Sequence, residues 1–466
     1  MFMNEKLHYS IVGLGISGIS CLEFLIENNI ANITATDIKD NEELRCLIDK
    51  YPKVKFFLGE LFIPEETDFI ILSPGIDQFI PIIKNAVLNG ATLTNDVNVF
   101  LKQLNILKKF KDIKVVVITG TNGKTTVVNM LADMAEQSGI KYALCGNVGN
   151  PVLNYLPNIN NINENYDQLP ELYIIELSSF QLELVDELHC DVASILNITP
   201  DHLDRYPDFD AYCVAKLKVY LHAKHCVYYQ EDLHTHSNRP GISFGKNYVP
   251  DKHSYSIDPD NLWLMQGALK MLPIKELGLN SEHNILNALA AIAIGDLLDF
   301  SRENIYTVLK NFKGLEYRYQ TVGNFKDHIW WINDSKGTNV GATLAAINTT
   351  AHSNQYNNKN IIIIMGGLNK NVDLSLLKPL VITYCKMAIL IGECKEQLLN
   401  IFQDHLECYL AIDLQVAVNI AKKFGHQGDI VLFSPACASF DMFDNYKHRG
   451  DVFKQCVLSL YHEQKH

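Results

Sequence analysis

Three runs of this chain carry residue types at spacings that suit phosphate chemistry. The first is Gly13-Leu14-Gly15-Ile16-Ser17-Gly18, a complete G-x-G-x-x-G. Its first glycine allows a tight turn, its second lets a phosphate approach the backbone, and its third lets a helix close on a sheet. Asp37 follows 19 residues after Gly18, where domains of this kind read a ribose hydroxyl. The motif predicts a site suited to pyrophosphate, and it does not choose between a dinucleotide and another nucleotide. The second run is residues 119–126, TGTNGKTT. Backbone N–H groups of Gly120, Thr121, Asn122 and Gly123 and the helix start after them suit phosphate oxygens. Lys124 then neutralises the β- and γ-phosphates, and a hydroxyl of Thr125 or Thr126 holds Mg2+. Ile118 stands where the usual P-loop has its first glycine, so this is a shortened form.

The third run is a pair of polar clusters, ELSSFQ at 176–181 and NITPDHLDR at 197–205. Each follows a strand-like stretch, and ligands of open α/β sheets lie at the C-terminal ends of strands, so both should converge on the phosphate loop. Glu176 and His202 are then candidate ligands of Mg2+ (or Mn2+) beside a triphosphate, directly or through water. His222-x-x-His225 and His234-Thr235-His236 have metal-like spacing without a suitably placed Cys or carboxylate partner, and are read as ordinary histidines.

The elements that must position these motifs are short strands alternating with helical patterns, which means βαβ units and parallel sheets. Strands are predicted at Tyr9–Val12, 33–36, 54–58 and Phe69–Leu72, and again at Lys114–Thr119, 172–175 and 193–196. A last group falls at 361–365, 388–391 and Ile430–Phe433. Polar stretches at 101–112 and 312–314 read as linkers, and those at 154–168 and 352–360 as surface loops.

The whole chain has 466 residues, 47% of them hydrophobic and 20% charged, enough for about three domains with substantial cores. Overall disorder and fibrous structure are excluded. Forty Lys and Arg against 53 Asp and Glu give a net charge of −13, so no global attraction to nucleic acid or anionic membrane is expected. Eleven cysteines without a Cys-x-x-Cys pair point to reduced thiols. No apolar run reaches the roughly 18 residues of a membrane span. Residues 9–21 follow Lys6 as a signal peptide would, but Glu23, Glu27 and the glycines favour a turn. A cytoplasmic, monomeric protein is expected.

In the order TGTNGKTT, ELSSFQLE, NITPDHLDR, these motifs resemble the Mur ligases, the ATP-dependent amide-forming enzymes of peptidoglycan assembly. The resemblance continues through INDSKGTN at 332–339 and SPACASFDMF at 434–443, then Tyr446 and Arg449-Gly450, so it spans nearly the whole chain. With GLGISG it points to the branch that joins D-glutamate to UDP-N-acetylmuramoyl-L-alanine through an acyl phosphate. It implies three α/β domains: a Rossmann-like UDP-substrate domain (1–105), a P-loop-type ATP domain (106–313) and a Rossmann-like amino-acid domain (314–466).

The resemblance also implies roles for single residues. Ser17, Asp37 and Gly75 become UDP contacts, with Asn147, Ser178 and Gln181 further along the same substrate. His283, Asn284, Asn287, Arg318 and Asp334 join the phosphate loop in holding ATP. Lys336, Thr338, Lys370, Ser439 and Tyr446 are assigned to D-glutamate. Lys216, 14 residues after His202, matches a family lysine that is carbamylated and serves the second metal ion. The sequence departs from the family pattern at Ser281, Tyr317, Gln320, Gly337 and Tyr446. Two alternatives remain: a folylpolyglutamate-synthase-like ligase, which GLGISG disfavours, and a nicotinamide-dependent dehydrogenase or redox sensor, supported by GLGISG and Asp37 alone.

Overall fold

The computed structural model describes residues 4–109, 111–157, 169–325, 327–353 and 359–462. Of the two expected polar loops, residues 158–168 and 354–358 lie outside the described residues. The chain forms two compact units.

The first unit comprises the chain up to Ile198, Asp210–Leu277 and Leu286–Asn311, and holds two sheets. Short strands buried on both faces are typical of the central strands of parallel sheets, whose two faces are covered. Tyr9–Val12 is one, and it centres a five-stranded parallel sheet ordered Lys55–Leu58, Ile33–Asp37, Tyr9–Val12, Phe69–Leu72, Thr92–Thr94. Helix Ile16–Glu27 leaves the glycine turn and packs on it. A Cβ on Gly18 would sit 1.9 Å from the Gly13 carbonyl oxygen, so only glycine lets this helix start so close to the turn.

Lys114–Thr119 lies inside a nine-stranded sheet, between Leu172–Glu176 and Val192–Ile195. Tyr142–Gly146 closes one edge, and His225–Tyr229, Gly241–Phe244 and Ser254–Ile257 continue the parallel array on the other. Trp263–Gln266 and Leu269–Pro273 add an antiparallel hairpin.

The stretch 101–112, expected as a linker, is largely helical. Helix Asp96–Leu107 is capped by Asn95, whose side chain accepts the Asn98 N–H at 2.9 Å. Val97, Phe100, Leu101, Leu104 and Leu107 are buried at helical spacing, an apolar face that outweighs the lysines after it.

The second unit comprises Thr199–Phe209, Gly278–Ile285 and Phe312–His466. Its six-stranded sheet runs Gln320–Asn324, Trp330–Asn333, Ile430–Phe433, Ile361–Gly366, Cys385–Ile391, Glu407–Leu410, parallel except for the first pair. Apolar cores cover both faces of this sheet.

Candidate active site

The phosphate loop bridges strand Lys114–Thr119 and helix Lys124–Gln137. Gly123 stands at the helix N-terminus with φ +83°, and a Cβ there would lie 2.4 Å from Asn287 Oδ1. Glycine is required for both reasons, and Asn287 is thereby placed against the loop. The Lys124 ammonium donates to the carbonyls of Gly120 at 2.7 Å and Thr121 at 2.8 Å. Thr126 is buried behind the loop, while Thr125 donates its hydroxyl to Glu176 Oε2 at 2.8 Å. Glu176 ends the neighbouring strand, is 1% exposed, and accepts Asn147 Nδ2 on its other oxygen at 2.8 Å. Lys124, Thr125, Glu176 and Asn147 thus form one connected group, as the strand-end argument requires.

Lys216 belongs to the same group. It lies in the last turn of helix Phe209–Leu217, 2% exposed, and donates to the Gly120 carbonyl at 3.0 Å with its ammonium 4.7 Å from the Tyr212 ring centre. Lys218 lies past that helix in a short 3-10 turn, Lys218–Tyr220, and donates to the Glu183 carbonyl.

Two residues that pin the loop escaped the sequence reading. Asn197 accepts the Asn122 N–H at 2.9 Å, returns a bond to the Asn122 carbonyl at 3.1 Å, and its own carbonyl takes the Thr121 N–H at 2.8 Å. Tyr212 places its hydroxyl 3.1 Å from that of Thr121. Asn197 opens the NITPDHLDR motif, so its position at a strand end was the available signal; Tyr212 had none.

Ser178 and Gln181 are bound to each other. They form a capping box on helix Ser179–Glu183, the Gln181 side chain accepting the Ser178 N–H at 3.0 Å. In the N-terminal sheet Asp37 Oδ2 accepts the Leu14 N–H at 2.6 Å, and its other oxygen the Lys39 N–H at 2.8 Å. Asp37 therefore caps the glycine turn itself. Ser17 hydrogen-bonds the buried Asp96 carboxyl, and Gly75 lies exposed after strand Phe69–Leu72.

In the second unit Asp201 organises a polar group. It is buried, accepts Lys370 Nζ at 3.0 Å and Asn339 Nδ2 at 3.2 Å, and lies 3.7 Å from His202 Nε2. Burial pushes its carboxyl up, but the Lys370 and His202 charges and these hydrogen bonds outweigh that and hold its pKa below the ordinary value. Glu176 lies with the phosphate loop in the first unit, and His202 belongs to the second unit.

Lys336 lies with its ammonium 3.8 Å from the Tyr446 ring centre, and its carbonyl takes the Thr338 N–H at 2.8 Å. Ser439 is buried and its carbonyl takes the Phe443 N–H. Asp334 accepts the Ser434 hydroxyl at 2.7 Å and the Tyr319 N–H at 3.1 Å, with Arg318 nearby. Burial drives the His283 ring down to about 4, so it stands as a neutral ring near neutral pH, and Asn284 donates to Ser281 at 2.9 Å.

The departures from the family pattern have local reasons. A Cβ on Gly337 would sit 2.5 Å from Asp334 Oδ2 and 2.9 Å from Ser434 Oγ, so alanine does not fit between them. Tyr317 donates to Asp451 at 2.8 Å, meets the Tyr446 ring edge-on at 6.2 Å, and its N–H reaches Gln320 Oε1 at 3.3 Å. His202, Tyr317, Tyr319 and Ala436 all adopt positive φ (58°, 61°, 50° and 62°).

Among the described residues no group of three or more His, Cys, Asp and Glu is placed to hold a metal ion. The paired Thr125 hydroxyl and Glu176 carboxylate do supply hard oxygen donors. That set suits Mg2+, which keeps waters and substrate phosphate oxygens as its remaining ligands.

Residues 118–295 match the Mur ligase middle domain, and residues 8–95 the MurD-like N-terminal domain of Mur ligases. The chain is 37% identical to a UDP-N-acetylmuramoylalanine–D-glutamate ligase of Legionella pneumophila, over 98% of this chain and 100% of that relative. It is equally identical to one of Acinetobacter baylyi, over 97% and 98%. Among solved structures, a UDP-N-acetylmuramate-alanine ligase from Thermotoga maritima aligns with a TM-score of 0.61 at 18% identity, covering 98% and 100% of the two chains. A bifunctional folylpolyglutamate synthase/dihydrofolate synthase from Yersinia pestis aligns at 0.55 and 16%, covering 78% and 93%. The fold is thus shared with both kinds of ligase, and the end-to-end sequence likeness separates them.

Proposed function

This chain belongs to the Mur ligase family, and from that premise we propose that it joins D-glutamate to UDP-N-acetylmuramoyl-L-alanine with cleavage of ATP to ADP and phosphate. The observation that carries this reading is the likeness to D-glutamate ligases along nearly the whole chain. The folate-type alternative is not favoured, because the N-terminal domain matches the MurD-like family. The dehydrogenase reading loses its support in the same way.

In the proposed reaction an oxygen of the L-alanyl carboxylate attacks the γ-phosphorus of ATP, and ADP leaves. The neutral amine of D-glutamate then attacks the carbonyl carbon of the acyl phosphate, and orthophosphate departs. Anion meets anion in the first step, so the protein's main task is charge neutralisation and placement. Lys124 is drawn from the Gly120 and Thr121 carbonyls to the β- and γ-phosphates, and the loop N–H groups hold their oxygens. Mg2+, when bound, supplies further neutralisation of phosphate charge. Thr125, Thr126, Glu176 and His202 are the residues we assign to hold it, together with Lys216 as a carbamate. Ser17, Asp37, Gly75, Asn147, Ser178 and Gln181 are assigned to the UDP-muramoyl substrate. His283, Asn284, Asn287, Arg318 and Asp334 are assigned to ATP. Lys336, Thr338, Lys370, Ser439 and Tyr446 are assigned to D-glutamate, whose two carboxylates need cations and donors. We place the protein in the cytoplasm as a monomer; no helix among the described residues is long and apolar enough to cross a membrane.

The test is an omission series. Amide product, identified by mass, should form, and ADP should accumulate over many turnovers, only when ATP, UDP-N-acetylmuramoyl-L-alanine and D-glutamate are all present. ADP formation with L-glutamate and a folate acceptor instead would replace this reading with the folate-type one.

A further inference from the structure

Two cysteines of the second unit face each other. Cys394 Sγ and Cys437 Sγ are 3.3 Å apart, and neither is in a disulfide. Cys394 is the N-cap residue of helix Lys395–Phe402, an end that favours a thiolate. Cys437 follows strand Ile430–Phe433, within SPACASF, and its carbonyl accepts Arg449 Nη1 at 3.1 Å. We propose that these residues are a redox-sensitive dithiol, which a small peroxide converts to a disulfide beside the amino-acid subsite.

The two thiols are unequal, as attacking and resolving partners should be. The Cys394 thiol lies below its ordinary pKa, chiefly because the Cys437 thiol hydrogen-bonds to it, with further backbone hydrogen bonds from Gly367 and from Cys394 itself, against burial and the nearby Asp441 carboxylate. The Cys437 thiol is held well above it by the same contact and by burial, with Arg449 opposing. The Cys394 thiolate attacks a peroxide oxygen, the O–O bond breaks, and the Cys394 sulfenic acid and one water form. Cys437 then attacks that sulfur, its proton leaves with the hydroxyl as a second water, and the S–S bond closes. Two thiols and one hydrogen peroxide thus give one disulfide and two waters, and a small dithiol reverses it by exchange. Cys394 is 6% exposed and Cys437 1%, so hydrogen peroxide fits and bulky disulfides do not.

The bond has consequences because its surroundings are tight. A disulfide brings sulfurs to about 2.0 Å, so the pair must approach from 3.3 Å. Cys394 N–H bonds the Gly367 carbonyl at 3.0 Å, and Leu368 and Ala438 exchange two backbone bonds at 3.0 Å. A Cβ on Gly367 would meet the Ala438 carbonyl oxygen at 2.3 Å, which leaves no slack. The displacement therefore passes to the two loops that carry Lys370 and Ser439. This consequence for D-glutamate rests on the function proposed above, whereas the cross-link does not.

The reduced full-length protein is treated with hydrogen peroxide and followed by intact mass, peptide mapping and D-glutamate kinetics. The expected result is loss of two hydrogen atoms, a peptide linking Cys394 to Cys437, and a KM for D-glutamate raised about tenfold, reversed by dithiothreitol. Cys394→Ser, nearly isosteric, should show ordinary activity before peroxide and no cross-link after it; Cys437→Ser should likewise form none. Absence of the linked peptide in wild type overturns the dithiol. A complete cross-link with unchanged D-glutamate KM overturns its link to the subsite.

Discussion

The ammonium groups of Lys124 and Lys216 converge on one acceptor, the Gly120 carbonyl oxygen, at 2.7 and 3.0 Å. Two like charges sharing one carbonyl in a buried place repel each other strongly. The arrangement would be relieved by the proposed move of Lys124 to a phosphate and by a loss of positive charge at Lys216. Carbamylation does the second, since a neutral amine and CO2 give an anion with two hard oxygens and a proton. A lone surface lysine at position 216 would need no such account; a lysine 2% exposed does.

Lys216→Ala is accordingly expected to be nearly inactive, and short carboxylic acids should partly restore it by supplying the missing oxygens. Steady-state rates with and without added acetate or formate check this. Lys218→Ala is the comparison, read together with its melting temperature because Lys218 braces the Glu183 carbonyl. Undiminished activity in Lys216→Ala, or acid rescue of Lys218→Ala, counts against the carbamate.

Lys124→Ala removes the cation of the phosphate loop, and turnover should fall at least ~10²-fold, the usual scale for one transition-state donor. The fold should persist, because the Gly120 carbonyl keeps the Lys216 ammonium as a donor. Near-normal ATP-dependent turnover would contradict the assignment.

Much of this site was legible because its parts are contiguous. Glycine turns, strand ends and helix starts have local signatures, and Lys124, Thr125 and Glu176 sit on them. What stayed hidden depends on distant contacts. The pinning of Asn122 by Asn197 spans two strand ends, and the need for Gly337 comes from Asp334 and Ser434 around it. Residues 101–112 looked polar because lysines follow the helix, yet the buried face of Asp96–Leu107 decides the backbone. Tyr142–Gly146 was missed as a strand, since it is a short edge strand of the sheet that ends in a glycine and is only alternately buried.

Buried Asp334 should make stability depend on pH. Burial pushes its carboxyl from 3.8 up to about 7, against the Ser434 and Tyr319 hydrogen bonds and the charges of Arg318 and Arg449. The native state then holds a proton that the unfolded chain has released, so stability falls as pH rises from about 4 to about 7. Melting temperatures across that range should drop more steeply in wild type than in Asp334→Asn. Parallel curves would contradict it.

D-Glutamate should be used in strong preference to L-glutamate and D-aspartate. Lys336, Lys370 and Ser439 are assigned to two carboxylates of fixed separation and hand, and D-aspartate cannot span them. Losing one charge-assisted hydrogen bond costs about 1.5–3 kcal/mol, roughly a 10- to 160-fold drop in kcat/KM. Comparable kcat/KM values for the three amino acids would contradict the assignment.

The central claim is that the substrate carboxylate is phosphorylated before the amide forms. It is tested by labelling both L-alanyl carboxylate oxygens of UDP-N-acetylmuramoyl-L-alanine with 18O and recovering the phosphate released with ATP and D-glutamate. The account predicts one labelled oxygen in each orthophosphate and one retained in the new amide. Unlabelled orthophosphate accompanying amide product would contradict it.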